Sequence, residues 1–206
     1  MIVLHHLRVG RSVFTVWLLE ELGVEYDLKV YLRDPETNRS QADLKAVHPL
    51  GKSPVIEDNG ILLAESGAIA AYLLEHYDPE LRLSPARSDT TRWAEYQQWL
   101  HYSEGSAFLP LIMNMLLARE ADPKPPVISA FAAGETKLHL DYIQEFLGEK
   151  TYLLGNDLQA PDIGMGFIMT MARKVVGLHD HPKLQAYLGR LTSRPAFVRA
   201  FKRTGG

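Results

Sequence analysis

An α/β unit followed by an all-helical unit is the fold class this sequence predicts, and three observations predict it. Short apolar runs of strand length alternate with helix-periodic segments over residues 1–77. Residues 78–87 contain two prolines and no apolar period, the mark of a linker. Every periodic segment from residue 88 onward then reads as helix. The expected boundaries are a sheet-containing domain at 1–77, a linker at 78–87 and a helical bundle domain at 88–206.

In order, residues 2–6 form a short strand, and 11–22 a helix with Val13, Phe14, Trp17 and Leu18 on a mainly apolar side. Residues 28–32 make a second strand. Residues 33–40 are polar and contain a proline, hence a loop, and 41–47 form a short helix. The stretch 48–66, HPLGKSPVIEDNGILLAES, is the most informative in the chain. It holds a Pro-bounded turn, Ser53-Pro54-Val55, then two short apolar runs at 55–57 and 61–63. Asp58-Asn59-Gly60 between the runs is strong hairpin punctuation. Glu65-Ser66 opens a periodic segment to Tyr77, with Ser66 suited as the helix cap. The order βαβα-ββα argues for a central sheet covered by helices, its βαβ half parallel and right-handed.

Beyond the linker, residues 88–120 read as one long or kinked helix with Gly105 and Pro110 as bends. The run Asp122-Pro123-Lys124-Pro125-Pro126 stops it. Helices follow at 127–147, 161–176, 182–190 and 195–202.

Composition excludes several classes of function. The chain has 206 residues, 46% apolar and 23% charged, as a soluble globular protein does. A net charge of −3 gives no support for nucleic acid or acidic membrane surfaces as partners. No apolar run approaches the roughly 20 residues that span a bilayer. The start, MIVLHHLRVGRS, lacks the pattern of a secretory signal, so the expected location is the cytoplasm. There is no cysteine, which rules out disulfides, Cys-based zinc sites and any protein thiol as nucleophile. His5 and His6 are strand neighbours pointing to opposite faces, and His179 and His181 lack a third ligand at a usable spacing; no metal site is expected.

An X-Pro bond entering a strand is the usual setting for a cis peptide. Such a turn leaves the backbone of Val55 to pair with an extended ligand, and the helix start twelve residues later offers N–H groups to a carboxylate. Together they describe a site for a small extended peptide with an anionic end.

On these residues the chain resembles the glutathione S-transferase superfamily, whose members carry a Pro turn before the third strand and a Glu/Gln-Ser pair at the next helix start. Val16-Trp17-Leu18-Leu19-Glu20-Glu21-Leu22-Gly23 is similar to the end of the family's first helix, and His48-Pro49-Leu50-Gly51-Lys52-Ser53-Pro54 to its bacterial and fungal branches. Pro161-Asp162-Ile163 resembles the start of its buried sixth helix. The resemblance implies a thioredoxin-like N-terminal domain, a helical C-terminal domain and a homodimer. Its co-substrate is glutathione, and the other substrate a small-molecule electrophile. Glu65 and Ser66 match the pair that holds the γ-glutamyl end, Val55 the residue whose backbone pairs with the cysteinyl portion, and Lys52 and Ser53 flank that turn, with Lys52 in reach of the glycine carboxylate. The electrophile is expected between the domains, along the segment carrying His101, Tyr102, Phe108, Met113 and Met115.

The first helix departs from the family's pattern, Ser-Arg-Ser followed two residues later by Arg. This chain reads Gly10-Arg11-Ser12-Val13-Phe14, so the first Ser is Gly10 and the second Arg is Phe14. The candidates for steadying a thiolate are then Ser12, Arg11 and the helix N-terminus. The expected reaction is conjugation of glutathione thiolate to small hydrophobic electrophiles, and Gly10→Ser is expected to raise its rate. Glutathione-dependent peroxide reduction and a non-catalytic binding module are the alternatives.

Overall fold

The computed structural model describes residues 1–205. They divide into two units, Met1–Arg82 together with the C-terminal segment from Ser193, and Leu83–Thr192. The first unit is built from β1 (Ile2–Leu7), α1 (Ser12–Leu22), β2 (Tyr26–Tyr31), α2 (Ala42–Val47), β3 (Val55–Asp58), β4 (Ile61–Ala64) and α3 (Ser66–Tyr77). The sheet order is β2-β1-β3-β4, with β1 and β2 parallel and the other pairings antiparallel.

Each piece follows from local chemistry. The hairpin turns at Asn59 and Gly60, both at positive φ (49° and 80°), the left-handed pair that a two-residue turn requires. α1 ends on Gly23 at φ 71°, whose N–H reaches the Leu19 carbonyl. The second strand begins two residues earlier than expected, because its parallel ladder with β1 starts at Ile2↔Tyr26 and buries the Tyr26 ring. Trp17, Leu18, Leu19, Leu4, Ile56, Ile69 and Leu73 are fully buried and form the core of this unit.

The second unit contains α4 (Thr90–Tyr102), a π-helical turn (Ser103–Ala107), α5 (Phe108–Leu117), α6 (Pro126–Leu147), α7 (Ala160–Val175) and α8 (Pro182–Thr192). The bend expected near Gly105 is that π-helical turn. Pro110 lies in the first turn of α5, where a missing N–H is tolerated. The last helix, α9 (Pro195–Thr204), belongs to the sheet unit, whereas the sequence reading grouped all residues from 88 onward. Long-range contacts decide this. Phe197 packs edge-on against Trp17 at 5.1 Å, and Arg194 forks onto the Glu21 carboxylate at 2.6 and 2.9 Å.

At the start of α7, the buried Asp162 carboxylate accepts the N–H groups of Leu153 (2.9 Å) and Gln159 (2.8 Å) and the Tyr187 hydroxyl (2.6 Å). Removing it strands buried donors, each costing about 1–3 kcal/mol. Asp162→Ala is therefore expected to lower the unfolding free energy by about 3 kcal/mol in a urea titration, while Asp180→Ala, at an exposed side chain, stays within about 0.5 kcal/mol of wild type.

Candidate functional site

The candidate site forms at the end of the sheet where β1 finishes, β3 begins and β4 finishes. The register fixes this. Val55 stands opposite His5 on one side and Ala64 on the other, so one step outward sets Pro54 beside Glu65. Both α1 and α3 start at this same end, each presenting the positive end of its dipole.

The Ser53–Pro54 peptide is cis. The Ser53 hydroxyl donates to the His5 carbonyl at 2.8 Å and accepts the Leu7 N–H at 3.0 Å. Val55 is buried, with register partners on both sides. Ser66 is buried and is the first residue of α3, one place inside the cap position expected for it. The cap position belongs to Glu65, which is exposed and held at φ 72°, ψ 119° with its carbonyl bonded to the Ile69 N–H. A non-glycine residue there costs about 1–3 kcal/mol, and such strain concentrates where a ligand is gripped. Lys52 is exposed beside the turn.

The β1–α1 connection is the second wall. Ser12 is fully buried, and its hydroxyl shares a 2.6 Å hydrogen bond with His6 Nδ1, a contact the sequence does not announce because it joins a strand to a helix. Arg11 is half-buried at the cap position of α1, with no side-chain cap bond of its own. Phe14 is buried in the core rather than presenting a polar group to the site. Gly10 is not a simple vacancy for serine. A Cβ there would lie 2.7 Å from the Leu7 carbonyl oxygen, so the turn is built around a bare backbone.

Electrostatics at this junction favour negative charge. Burial pushes the His6 imidazole below its usual 6.5, its interaction with the Thr204 backbone carbonyl opposes this, and the nearby positive charges of Arg8 and Arg33 push further down. The open cavity of about 610 Å³ lined by Glu20, Tyr26, Arg199 and Arg203 lies at the other end of α1. Its cations are already spent on Glu20: burial alone would raise that carboxylate, but bonds from Arg199, Tyr26 and Arg203 outweigh it and hold the group below its usual range. In the helical unit, half-buried Tyr102 bonds to His139, while Phe108 is buried edge-on to Phe167 at 5.5 Å. Met113 and Met115 are half-buried on α5, and His101 is exposed.

A turn beside two helix N-termini at one end of a β2-β1-β3-β4 sheet has the chemistry that suits a short anionic peptide. Residues 1–75 match the family model described as "Glutathione S-transferase, N-terminal domain". "Glutathione S-transferase 3" of Schizosaccharomyces pombe is 32% identical, over 95% of this chain and 85% of the relative. "Glutathione S-transferase 1" of Saccharomyces cerevisiae is also 32% identical, over 96% of this chain and 93% of the relative. A glutathione S-transferase crystal structure from Actinobacillus pleuropneumoniae superposes with a TM-score of 0.87 at 33% identity, covering 100% of this chain and 94% of that one. The chain belongs to the glutathione S-transferase superfamily, enzymes that take glutathione as co-substrate.

Two predictions follow from this geometry. Because the folded-state pKa of His6 is lowered, the unfolded chain binds the extra proton; this contribution to stability is complete above pH 6.5 and is lost as pH falls below it. Denaturation midpoints measured from pH 8 to pH 5 should fall more steeply for wild type than for His6→Gln, and parallel curves would contradict a buried neutral imidazole. The close approach at Gly10 reverses the expectation for Gly10→Ser, which should melt lower than wild type and gain no rate with glutathione and an aryl halide.

Proposed function

We propose that this protein conjugates glutathione to small hydrophobic electrophiles, by binding the tripeptide extended along the Ser53–Pro54 turn and stabilising its thiolate at the start of α1. The observation that carries this reading is the register that sets Pro54 beside Glu65 while the Ser53 hydroxyl is committed to β1. The hydroxyl being occupied, the main chain of Ser53 lies beyond the end of β3 and is placed to pair with the cysteinyl backbone. Val55, bordered by β1 and β4, supports the turn from inside the sheet.

Glu65 then faces the γ-glutamyl amine, and its carboxylate partner is met by Ser66 and the N–H groups of α3. Lys52 takes the glycine carboxylate. At the sulfur, Arg11 and the first N–H groups of α1 supply the positive charge. Ser12, its hydroxyl held by His6, fixes the helix start from beneath. No covalent enzyme intermediate is needed: ionisation and proximity together accelerate attack by several orders of magnitude. Exposed Ile61 and Leu62 on the edge strand β4 support a homodimer, and the expected setting is detoxification in the cytoplasm.

Calorimetric titration with glutathione in two buffers of different ionisation enthalpy tests the reading. Binding near neutral pH should release roughly half to two-thirds of a proton, because a thiol near pKa 8.5 is brought to about 7 on binding. Ser66→Ala should weaken the affinity about tenfold, the worth of one charge-assisted hydrogen bond. Binding without proton release would favour a glutathione-binding module, and no binding at millimolar ligand would overturn the assignment.

A further inference from the structure

One side chain outside the peptide-binding residues holds the shape of the β1–α1 turn. Arg33 lies two residues past the end of β2, where the parallel ladder continues by one more bond, Arg8 N–H to the Tyr31 carbonyl at 2.9 Å. From there its guanidinium donates three ways: Nε to the Arg8 carbonyl at 3.1 Å, Nη2 to the Val9 carbonyl at 3.0 Å, and Nη1 to the Asn38 carbonyl at 2.9 Å. Two of those carbonyls belong to left-handed residues, since Val9 and Asn38 both sit at φ 56°. For the β-branched Val9 this is a genuine outlier, and a strained residue persists only when its surroundings hold it. Its side chain is largely exposed, so apolar packing does not hold it; the Arg33 fork does.

The loop that carries Arg33 is itself braced. Arg33 bridges Ser40, Asp34 N–H reaches the Arg39 carbonyl at 2.8 Å, and the Asp34 carboxylate accepts from the Glu36 and Thr37 N–H groups and the Thr37 hydroxyl. The Ser40 hydroxyl donates to the Gly51 carbonyl, just ahead of Lys52-Ser53-Pro54. One short loop therefore braces both walls of the site, the β1–α1 turn through Arg33 and the approach to the Pro54 turn through Ser40.

We propose that Arg33 is a positioning residue for the transfer reaction: its three-way grip on Arg8, Val9 and Asn38 sets the turn that aims the start of α1 at the glutathione sulfur. This rests on the glutathione-binding reading above. The role needs the planar fork and not charge alone, because three separate nitrogens of one rigid plane meet the three carbonyls, an arrangement that the single nitrogen of a lysine on its flexible stem does not reproduce. The charged and titratable groups facing this turn are Arg8 and Arg11 on the connection, Arg33 itself, and His6 beneath it, bonded to Ser12 of α1 and facing the Thr204 backbone of α9.

The test compares wild type, Arg33→Lys and Arg33→Ala as full chains, using glutathione and an aryl halide electrophile. Both variants should lose about tenfold in kcat with the KM for glutathione within about threefold, and the acid limb of the rate profile should move to higher pH. Equal losses in Lys and Ala identify the fork; full rescue by Lys would reduce the role to charge and overturn the proposal. A readout independent of activity is amide hydrogen exchange at Arg8, Val13 and Phe14, whose N–H groups bond to the carbonyls of Tyr31, Gly10 and Arg11, expected to speed up at least tenfold in both variants. Unchanged exchange in Arg33→Ala would overturn the grip itself. A wild type that binds no glutathione would sink the functional reading alone, since the exchange measurement still decides whether Arg33 sets the turn.

Discussion

A single hydroxyl does at this sheet what a strand would otherwise do, and the candidate site depends on it. β1 runs to Leu7, yet β3 pairs with it only over Val3, Leu4 and His5. A continuing partner strand would meet the His5 carbonyl and the Leu7 N–H, which point to the same side of β1. Pro54 has no N–H to offer. The Ser53 hydroxyl satisfies both groups instead, donating to one and accepting from the other. The end of β1 is thereby satisfied without using the Ser53 main chain, and that main chain becomes a short stretch of open sheet edge beside two helix starts. An exposed edge is normally a liability. Confined to one residue beside a turn, it has the geometry that strand addition by an extended ligand uses.

The position of α1 is set from the opposite side by the last helix. Glu21 is forked by Arg194, and Glu20 is bonded by Tyr26, Arg199 and Arg203. The glutamate ends of these pairs are nearly buried, so the gain from pairing is offset by the cost of desolvating them, and the bonds matter more for register than for stability. Stability comes from the apolar layer beneath, where Trp17 is fully buried and packs against Phe197. A fully buried large side chain contributes roughly 1.5–3 kcal/mol. Packing fixes the distance of α1 from its neighbours, and the arginines fix its rotation. Both ends of α1 are thus held, one by α9 and the other by the His6–Ser12 contact.

The sequence made the scaffold of the site legible and left its bracing hidden. The Asp58-Asn59-Gly60 signal located the hairpin, and Glu65-Ser66 located the start of α3, because turn and helix chemistry act within a few residues. What stayed hidden joins residues that are distant in sequence or different in structural type. Arg33 reads as one more charge in a polar loop until the parallel ladder sets it against Arg8 and Val9. Ser12 reads as an available hydroxyl until the fold buries it on His6. Ser66 reads as a cap until its place one residue inside the helix is known. The placement of α9 was equally invisible, since its amphipathic pattern tells which face is buried but not against what.

Energetic magnitudes decide what the proposed reaction asks of a site without the family's usual serine. Lowering a thiol from about 8.5 to about 7 requires roughly 2 kcal/mol of preference for the thiolate. A helix N-terminus supplies about 0.3–1 kcal/mol when exposed and up to about 2 when partly buried and well aimed. The aim of α1 is therefore what separates an adequate site from an inadequate one. With Gly10 the backbone approaches closely, yet the same residue leaves the turn free to relax unless something holds it. The positive charge of Arg11 closes the remaining gap only if the turn before it stays in place. On this account the chain did not replace the missing hydroxyl with another one. In the proposed reaction a rigid turn stands in for the local hydrogen bond, and thiolate stabilisation falls on the geometry of the helix start.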